Sequence, residues 1–354
     1  RQRGASDYIG VKYCSPCEVT MLPRSWKYVS LLLLLLACFL PQGVLAQELT
    51  PLSISLESYP YPYPVAFLDL HQEGQDLRMA YMDVKPEGQG NGKTVVLLHG
   101  KNFPASYWKD TISFLTKHGY RVVAPDQIGF GKSSKADLHY SFHQLADNTK
   151  KLLDHLGIEK AVIVGHSMGG MLATRFALMY PGTTSQLVLV DPIGLEDYRL
   201  FVPWIPLSQA YENEFKATPE SLNKFYKNYF VNYKPEYGEY AEIAARQRLS
   251  GDYPLLALVS ALTYQMIYEQ PVVYEFPHVK AKTLVIVGTG DRTVVGKPRV
   301  PKELLPKVGH YPELGKKTAK AIPGAKLVEI PNAGHLPMFE APEKFQQALL
   351  GFLQ

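Results

Sequence analysis

The chain has 354 residues, 46% of them hydrophobic and 20% charged, with 37 Lys and Arg against 33 Asp and Glu. That composition excludes a disordered or low-complexity chain, and the length suits one large domain carrying an insertion. Residues 1–46 hold five of the basic and two of the acidic side chains, so the remainder is close to charge balance and lacks the concentrated basic face that nucleic-acid binding needs.

Residues 1–20 precede the first methionine and are set aside as an upstream segment. Residues 21–46 have a basic start (Arg24, Lys27), an apolar run centred on Leu31 to Leu36, and small residues at Val44 and Ala46. That succession predicts a secretory signal peptide cleaved after Ala46, and hence a secreted or periplasmic mature protein. A membrane span needs ~20 unbroken apolar residues. Pro41, Gln42 and Gly43 interrupt this one, so no stable membrane insertion is expected after cleavage. All three cysteines, Cys14, Cys17 and Cys38, precede the cleavage point. The mature chain would therefore have no disulfide, thiolate metal site or cysteine nucleophile.

From residue 65 onward, apolar strand-like runs alternate with helical stretches. Strands are predicted at Val65–Leu70 and Leu77–Val84, as an antiparallel hairpin, and at Thr94–Leu98, Arg121–Ala124, Ala161–Val164, Leu187–Val190, Thr283–Val287 and Lys326–Ile330. Helices are predicted near Tyr107–His118, Phe142–Leu156, Met168–Tyr180 and Pro342–Leu353. The pattern specifies an α/β fold, a mostly parallel central sheet with helices on both faces. Residues 192–280 contain no strand-like run and are too long for a loop. They are read as a helical cap inserted into a core made of residues 47–191 and 281–354. The cap holds eleven of the 23 tyrosines. Packing of the cap onto the core accounts for most of them, and the rest would line a pocket for an apolar or aromatic substrate. The basic run Gly315 to Lys320 is read as a solvated helix face.

The chemistry centres on Gly165 to Gly170, GHSMGG, which sets Ser167 in a GxSxG pattern between a predicted strand and helix. Such a turn strains the serine backbone and exposes its hydroxyl at a helix N-terminus. A general base is available in His335, within Asn332 to Pro337 after the last strand. Asp291, after the strand Thr283–Val287, would fix the imidazole tautomer and stabilise its charged form. Asp191, directly after Leu187–Val190, competes for that role. Asp291 is preferred because Asp191 also begins a turn into the cap. The oxyanion formed on attack needs two N–H donors. Met168 would supply one from the elbow, and the second is expected from the loop after Thr94–Leu98, where Lys101 is preferred and Asn102 is next, with a side-chain amide able to help. Asn102, Phe103, His166 and Arg292 are expected to contact substrate.

With His99-Gly100, Asp126 to Ser133, GHSMGG, GTGDRT at 288–293 and NAGHLP at 332–337, residues 65–354 resemble the α/β-hydrolase superfamily. The resemblance implies Ser167 as nucleophile, Asp291 as acid, His335 as base, and Lys101 with Met168 as the oxyanion hole. A serine at the elbow argues against epoxide and haloalkane hydrolysis. The expectation is an exported carboxylic-ester hydrolase of small-molecule substrates that needs no metal or organic cofactor. The alternatives are a carbon-carbon bond hydrolase, with Arg292, Arg246 or Arg248 holding a substrate carboxylate, a lactonase, or a non-catalytic binding module. Asp291 and His335 lie further apart than in compact members, so the loop 294–321 is read as an insertion.

Overall fold

A computed structural model of the chain describes residues 49–354. The upstream segment 1–20, the signal peptide 21–46 with its cleavage after Ala46, and the three cysteines lie outside the described residues.

The alternating runs form eight strands: β1 (Val65–Gln72), β2 (Gln75–Val84), β3 (Thr94–Leu98), β4 (Arg121–Pro125), β5 (Ala161–His166), β6 (Thr184–Val190), β7 (Lys282–Gly288) and β8 (Lys326–Ile330). They make one sheet in the order β1-β2-β4-β3-β5-β6-β7-β8. β1 and β2 are antiparallel, joined through Glu73 and Gly74 with φ of 48° and 75°, the left-handed pair that a tight hairpin requires. β2 meets β4 antiparallel, and β3 to β8 run parallel.

Side chains alternate across this sheet with the period of two that a strand imposes, and each face has its own core. Val95, Leu97, Val162 and Val164 pack with Trp108, Ile112, Phe345 and Leu349. Val96, Leu98 and Ile163 pack on the other side with Leu145, Leu172 and Phe176. The helices that cover the sheet are α1 (Lys109–Lys117), α2 (Phe142–His155), α3 (Met168–Met179) and, at the C-terminus, the single turn α9 (Pro337–Glu340) followed by α10 (Pro342–Leu353). The Ser141 hydroxyl caps α2 by accepting the Gln144 N–H at 3.1 Å. The stretch expected as one helix from Tyr107 begins instead as a 3-10 turn, Ala105–Trp108, with α1 following it.

Between β6 and β7 the chain forms four α-helices and no strand: α4 (Leu207–Lys216), α5 (Pro219–Lys227), α6 (Glu239–Gln247) and α7 (Tyr253–Glu269). Their tyrosines are largely packing residues. Tyr226 and Tyr237 are buried, and Tyr229 and Tyr240 pack against the core beside Phe103 and Tyr107.

The reading of residues 294–321 as an insertion loop is corrected by the structure. Tyr311–Ala321 is a helix, α8, which carries the chain from β7 across to β8. It buries Tyr311, Leu314, Gly315 and Thr318 and leaves Lys316, Lys317 and Lys320 exposed, so the basic run is a solvated helix face. A Cβ at Gly315 would stand 3.1 Å from both Leu327 and Val287. This helix therefore lies close against the sheet, with a glycine where a periodic apolar residue would have signalled it. Among the described residues no helix is long and apolar enough to cross a membrane.

Ile163 sits in the middle of β5 with no exposed surface. Ile163→Ala should lower the unfolding free energy by about 2–5 kcal/mol, and Ile163→Val by about 0.5–1.5 kcal/mol. Urea titrations followed by circular dichroism would measure both, and a loss for Ile163→Ala no larger than for Ile163→Val would contradict this packing.

Candidate active site

Parallel strands all present their C-terminal ends on one side of the sheet, and ligands of open α/β sheets bind there. β3 ends just before His99 and Gly100, β5 just before Ser167, β6 just before Asp191, β7 three residues before Asp291, and β8 just before the loop that holds His335.

Ser167 has φ 56° and ψ −120°, a conformation that costs a residue with a side chain of order 1–3 kcal/mol. Neighbours hold it there. Its N–H donates to Val190 O at 3.1 Å, and its carbonyl accepts from Gly170 N at 2.9 Å and Ile193 N at 3.2 Å. The elbow has no space for further side chains, because a Cβ on Gly165 would strike Gly169 O and one on Gly169 would strike Leu98 O. Gly100 also lies close, since a Cβ there would stand 3.1 Å from His166 Nδ1 and 3.2 Å from Ser167 Cβ. Met168 opens α3, so its N–H lies in the first turn, where the helix dipole is positive. Neither the Met168 nor the Lys101 backbone N–H has an acceptor among the described residues.

His335 is fixed from several directions. Its Nδ1–H donates to Asp291 Oδ2 at 2.7 Å, its backbone N–H donates to Tyr229 O at 2.7 Å, and the Tyr229 ring stacks on the imidazole at 5.0 Å. Glu340 orders the same loop by accepting from the N–H groups of Gly334, Val231 and Asn232 at 2.6, 2.9 and 2.7 Å. The other imidazole nitrogen, Nε2, is buried and has no hydrogen-bond partner. No hydrogen bond joins it to the Ser167 hydroxyl in this structure; catalytic hydrogen bonds of unliganded sites are often long and tighten when substrate binds.

Two carboxyls share the neighbourhood of that imidazole, and their surroundings drive them apart. Burial pushes Asp291 up, but the His335 charge, its hydrogen bond and the Thr293 N–H outweigh burial and hold the carboxyl below the ordinary aspartate value. The Thr293 N–H donates to Asp291 Oδ1 at 2.8 Å. Asp191 is buried as well, and there burial and the Asp291 charge together raise it well above the ordinary value, against the Gly288 N–H. It accepts that N–H through Oδ1 at 2.9 Å, while Oδ2 is without a partner. The surroundings therefore favour the charged form at Asp291, which faces His335, and disfavour it at Asp191.

The four residues expected to meet substrate have these partners in the structure. His166 is fully buried; its Nε2–H donates to the His335 carbonyl at 2.7 Å and its Nδ1 accepts from the Tyr107 hydroxyl at 3.0 Å. Tyr107 in turn accepts the Gly100 N–H at 3.3 Å. Burial and the His335 charge hold His166 well below the ordinary histidine value, which keeps it neutral, as this bonding pattern requires. It is a brace between the loops of Ser167 and His335. Phe103 is buried in an aromatic cluster with Tyr107, Tyr226, Tyr229 and Tyr240. The Asn102 amide donates to the Tyr229 hydroxyl at 2.7 Å, and its carbonyl accepts from Tyr226 at 2.8 Å, so this residue ties the β3 loop to α5 and the turn after it. Arg292 is exposed and folds back to donate to the carbonyls of Thr289 and Asp291 at 3.1 and 2.6 Å. Arg246 and Arg248 are likewise occupied, the first by Thr50 and Glu242 and the second by Tyr253 and the carbonyls of Glu214 and Phe215.

Tyr107, Tyr229 and Glu340 had no mark in the sequence, because each acts through a contact with residues remote along the chain. His99 orders its own loop, donating from Nδ1 to Gly100 O at 2.8 Å and accepting the Gln127 N–H on Nε2 at 3.0 Å. Two surface clefts, of about 360 and 650 Å³, are lined by other residues, the first beside β1 and β2 and the second around the N-terminal ends of β3, β4 and β5.

A family model described as "Alpha/beta hydrolase family" matches residues 95–348. The chain belongs to the alpha/beta hydrolase family. This hydrolase is 30% identical over 302 residues to a 2-hydroxy-6-oxononadienedioate/2-hydroxy-6-oxononatrienedioate hydrolase of Paraburkholderia phymatum, a match that covers 81% of this chain and 94% of that protein. It is also 30% identical over 276 residues to a 2-hydroxy-6-oxo-6-phenylhexa-2,4-dienoate hydrolase of Burkholderia cepacia, across 75% of this chain and 88% of that one. Among solved structures, a probable hydrolytic enzyme from Pseudomonas aeruginosa is 46% identical and superposes with a TM-score of 0.84, covering 86% of this hydrolase and 99% of that chain.

The two aspartates should respond differently to loss of charge. Asp291→Asn should lower kcat by about 10⁴, whereas Asp191→Asn, which mimics the protonated acid and keeps an acceptor for Gly288, should retain kcat within about tenfold. Asp191 has a raised pKa in the fold, so its stabilising contribution is complete below the unfolded-state value and is lost as pH rises through the folded-state value. The stability of Asp191→Asn relative to wild type should therefore increase with pH across that window. Steady-state assays and urea melts at stepped pH would measure both effects; a crippled Asp191→Asn beside an active Asp291→Asn would reverse the assignment.

Proposed function

We propose that this hydrolase cleaves small carboxylic esters through a covalent acyl intermediate on Ser167, with His335 as the base and Asp291 as its orienting acid. The observation that carries this reading is the His335 imidazole, held by Asp291 through Nδ1–H while a buried Nε2 is left free to take a proton. Ser167 Oγ attacks the substrate carbonyl as its proton passes to that nitrogen. The oxyanion is received by the free N–H groups of Lys101 and Met168. Collapse of the tetrahedral species expels the alcohol, which leaves with the proton from His335. Water then attacks the acyl-enzyme, with His335 again as base, and releases the acid and the serine. Charged Asp291 stabilises the imidazolium at both steps.

The helices of residues 192–280 serve as the cap in this proposal, since Tyr226 and Tyr229 hold Asn102 beside the oxyanion donors. The basic, apolar and small-residue succession of residues 21–46 supports export of a mature chain that starts after Ala46, and N-terminal sequencing of the secreted protein tests it.

A second reading, carbon-carbon bond hydrolysis of a dienoate, is favoured by the names of the two relatives at 30% identity. Turnover of a ring-fission dienoate with none of p-nitrophenyl esters would select it.

Ser167→Ala should reduce ester turnover by about 10⁶ and abolish labelling by a fluorophosphonate probe. Labelling that persists in Ser167→Ala would remove the nucleophile from this residue.

A further inference from the structure

Lys101 is placed by its backbone beside the serine elbow and by its side chain against the helices of residues 192–280. Its backbone N–H is one of the two donors without an acceptor, next to Gly100, which lies against Ser167. Its side chain crosses from the β3 loop to α7, where Nζ donates to Ser260 Oγ at 2.7 Å. An ammonium has three hydrogens to donate. One is used, on a neutral hydroxyl, and among the described residues no carboxylate forms an ion pair with the other two. Burial lowers the Lys101 pKa, with the more distant Glu214 charge opposing it. A cation withdrawn from water without a counter-ion is destabilising, and an incoming anion relieves it.

The arginines around the site are engaged elsewhere. Arg246, Arg248 and Arg292 are held as described above, and Arg299 donates to the Tyr264 hydroxyl and to Pro203 O. Lys101 is thus a cation with unused donors, one side chain's reach from the place where the acyl carbonyl would sit.

We propose that Lys101 Nζ receives a carboxylate of the substrate, so that the preferred substrates are acyl compounds bearing an anionic group a few bonds from the scissile carbonyl. This rests on the reading of Ser167 as nucleophile and extends it to a substrate class. The same residue then fixes both ends of the acyl group, the oxyanion by its backbone and the distal carboxylate by its side chain. Ser260 acts as the resting partner, able to keep its hydrogen bond to Nζ while the remaining hydrogens turn to the anion.

The test compares mono-p-nitrophenyl glutarate, which is anionic, with neutral p-nitrophenyl valerate. In wild type, kcat/KM should favour the glutarate ester by about tenfold to a hundredfold, the range that a charge-assisted hydrogen bond supplies. Lys101→Met should collapse that ratio, chiefly through KM for the anionic ester, and Lys101→Arg should restore a preference. Free glutarate offers a readout that needs no turnover, because a ligand raises the melting temperature of the state it binds. It should stabilise wild type and Ser167→Ala but not Lys101→Met. Turnover of both esters with no anionic preference, or an equal ratio in wild type and Lys101→Met, would overturn the proposal while leaving Ser167 in place. Stabilisation by glutarate that depends on Lys101, without turnover or Ser167 labelling, would uphold the anion site and remove the hydrolase reading.

Discussion

A 2.7 Å hydrogen bond joins Asp291 Oδ2 to His335 Nδ1, two side chains 44 residues apart that are both almost wholly buried. The orientation of the imidazole depends on that bond, and the position of its free nitrogen depends on the orientation. The surrounding contacts exist to hold the two loops where this bond can form. His166 ties the serine elbow to the His335 carbonyl, Tyr229 supports the imidazole from one side, and Glu340 gathers three N–H groups of neighbouring loops. At the second carboxyl nearby, Asp191, burial and the Asp291 charge both disfavour ionisation, whereas His335 and the Thr293 N–H favour it at Asp291.

Much of the fold was legible because the central parallel strands, buried on both faces, appear as β-branched runs, while β1 and β2 showed as apolar runs either side of a turn, the mark of an antiparallel hairpin. The helix α8 was not legible. Its stripe of Tyr311, Leu314 and Thr318 is interrupted by Gly315, which the close approach of the sheet requires, and that exchange of an apolar side chain for space removes the periodic signal. Ser167, Asp291 and His335 stood out because each follows a strand, and strand ends share one rim of the sheet. Direction is a different matter. His166 and Phe103 adjoin the reactive loops in sequence, yet both turn inward, and no pattern in a sequence distinguishes a histidine that meets ligand from one that braces two loops. The Asp191 and Asp291 pair was ambiguous for the same reason. Only their surroundings, a free Oδ2 in one and an imidazole in the other, separate them.

The site also concentrates strain. The positive φ of Ser167 and the buried, partnerless atoms of Asp191 and His335 each oppose stability. The two apolar cores on the faces of the sheet offset them. This division places rigid packing below the strand ends and leaves unsatisfied polar groups at their tips, where a ligand would satisfy them. Lys101 belongs to the same economy, since its free N–H and its under-used ammonium both await partners that the protein does not provide.

The central claim is that Ser167 is acylated in the course of turnover. Acid quenching of the enzyme during steady-state hydrolysis of an activated ester, followed by proteolysis and mass spectrometry, measures this directly. The account predicts an acyl adduct on the peptide that contains Ser167, formed and lost within the turnover time. Continued turnover with that peptide unmodified, or an adduct on another residue that is kinetically competent, would contradict it.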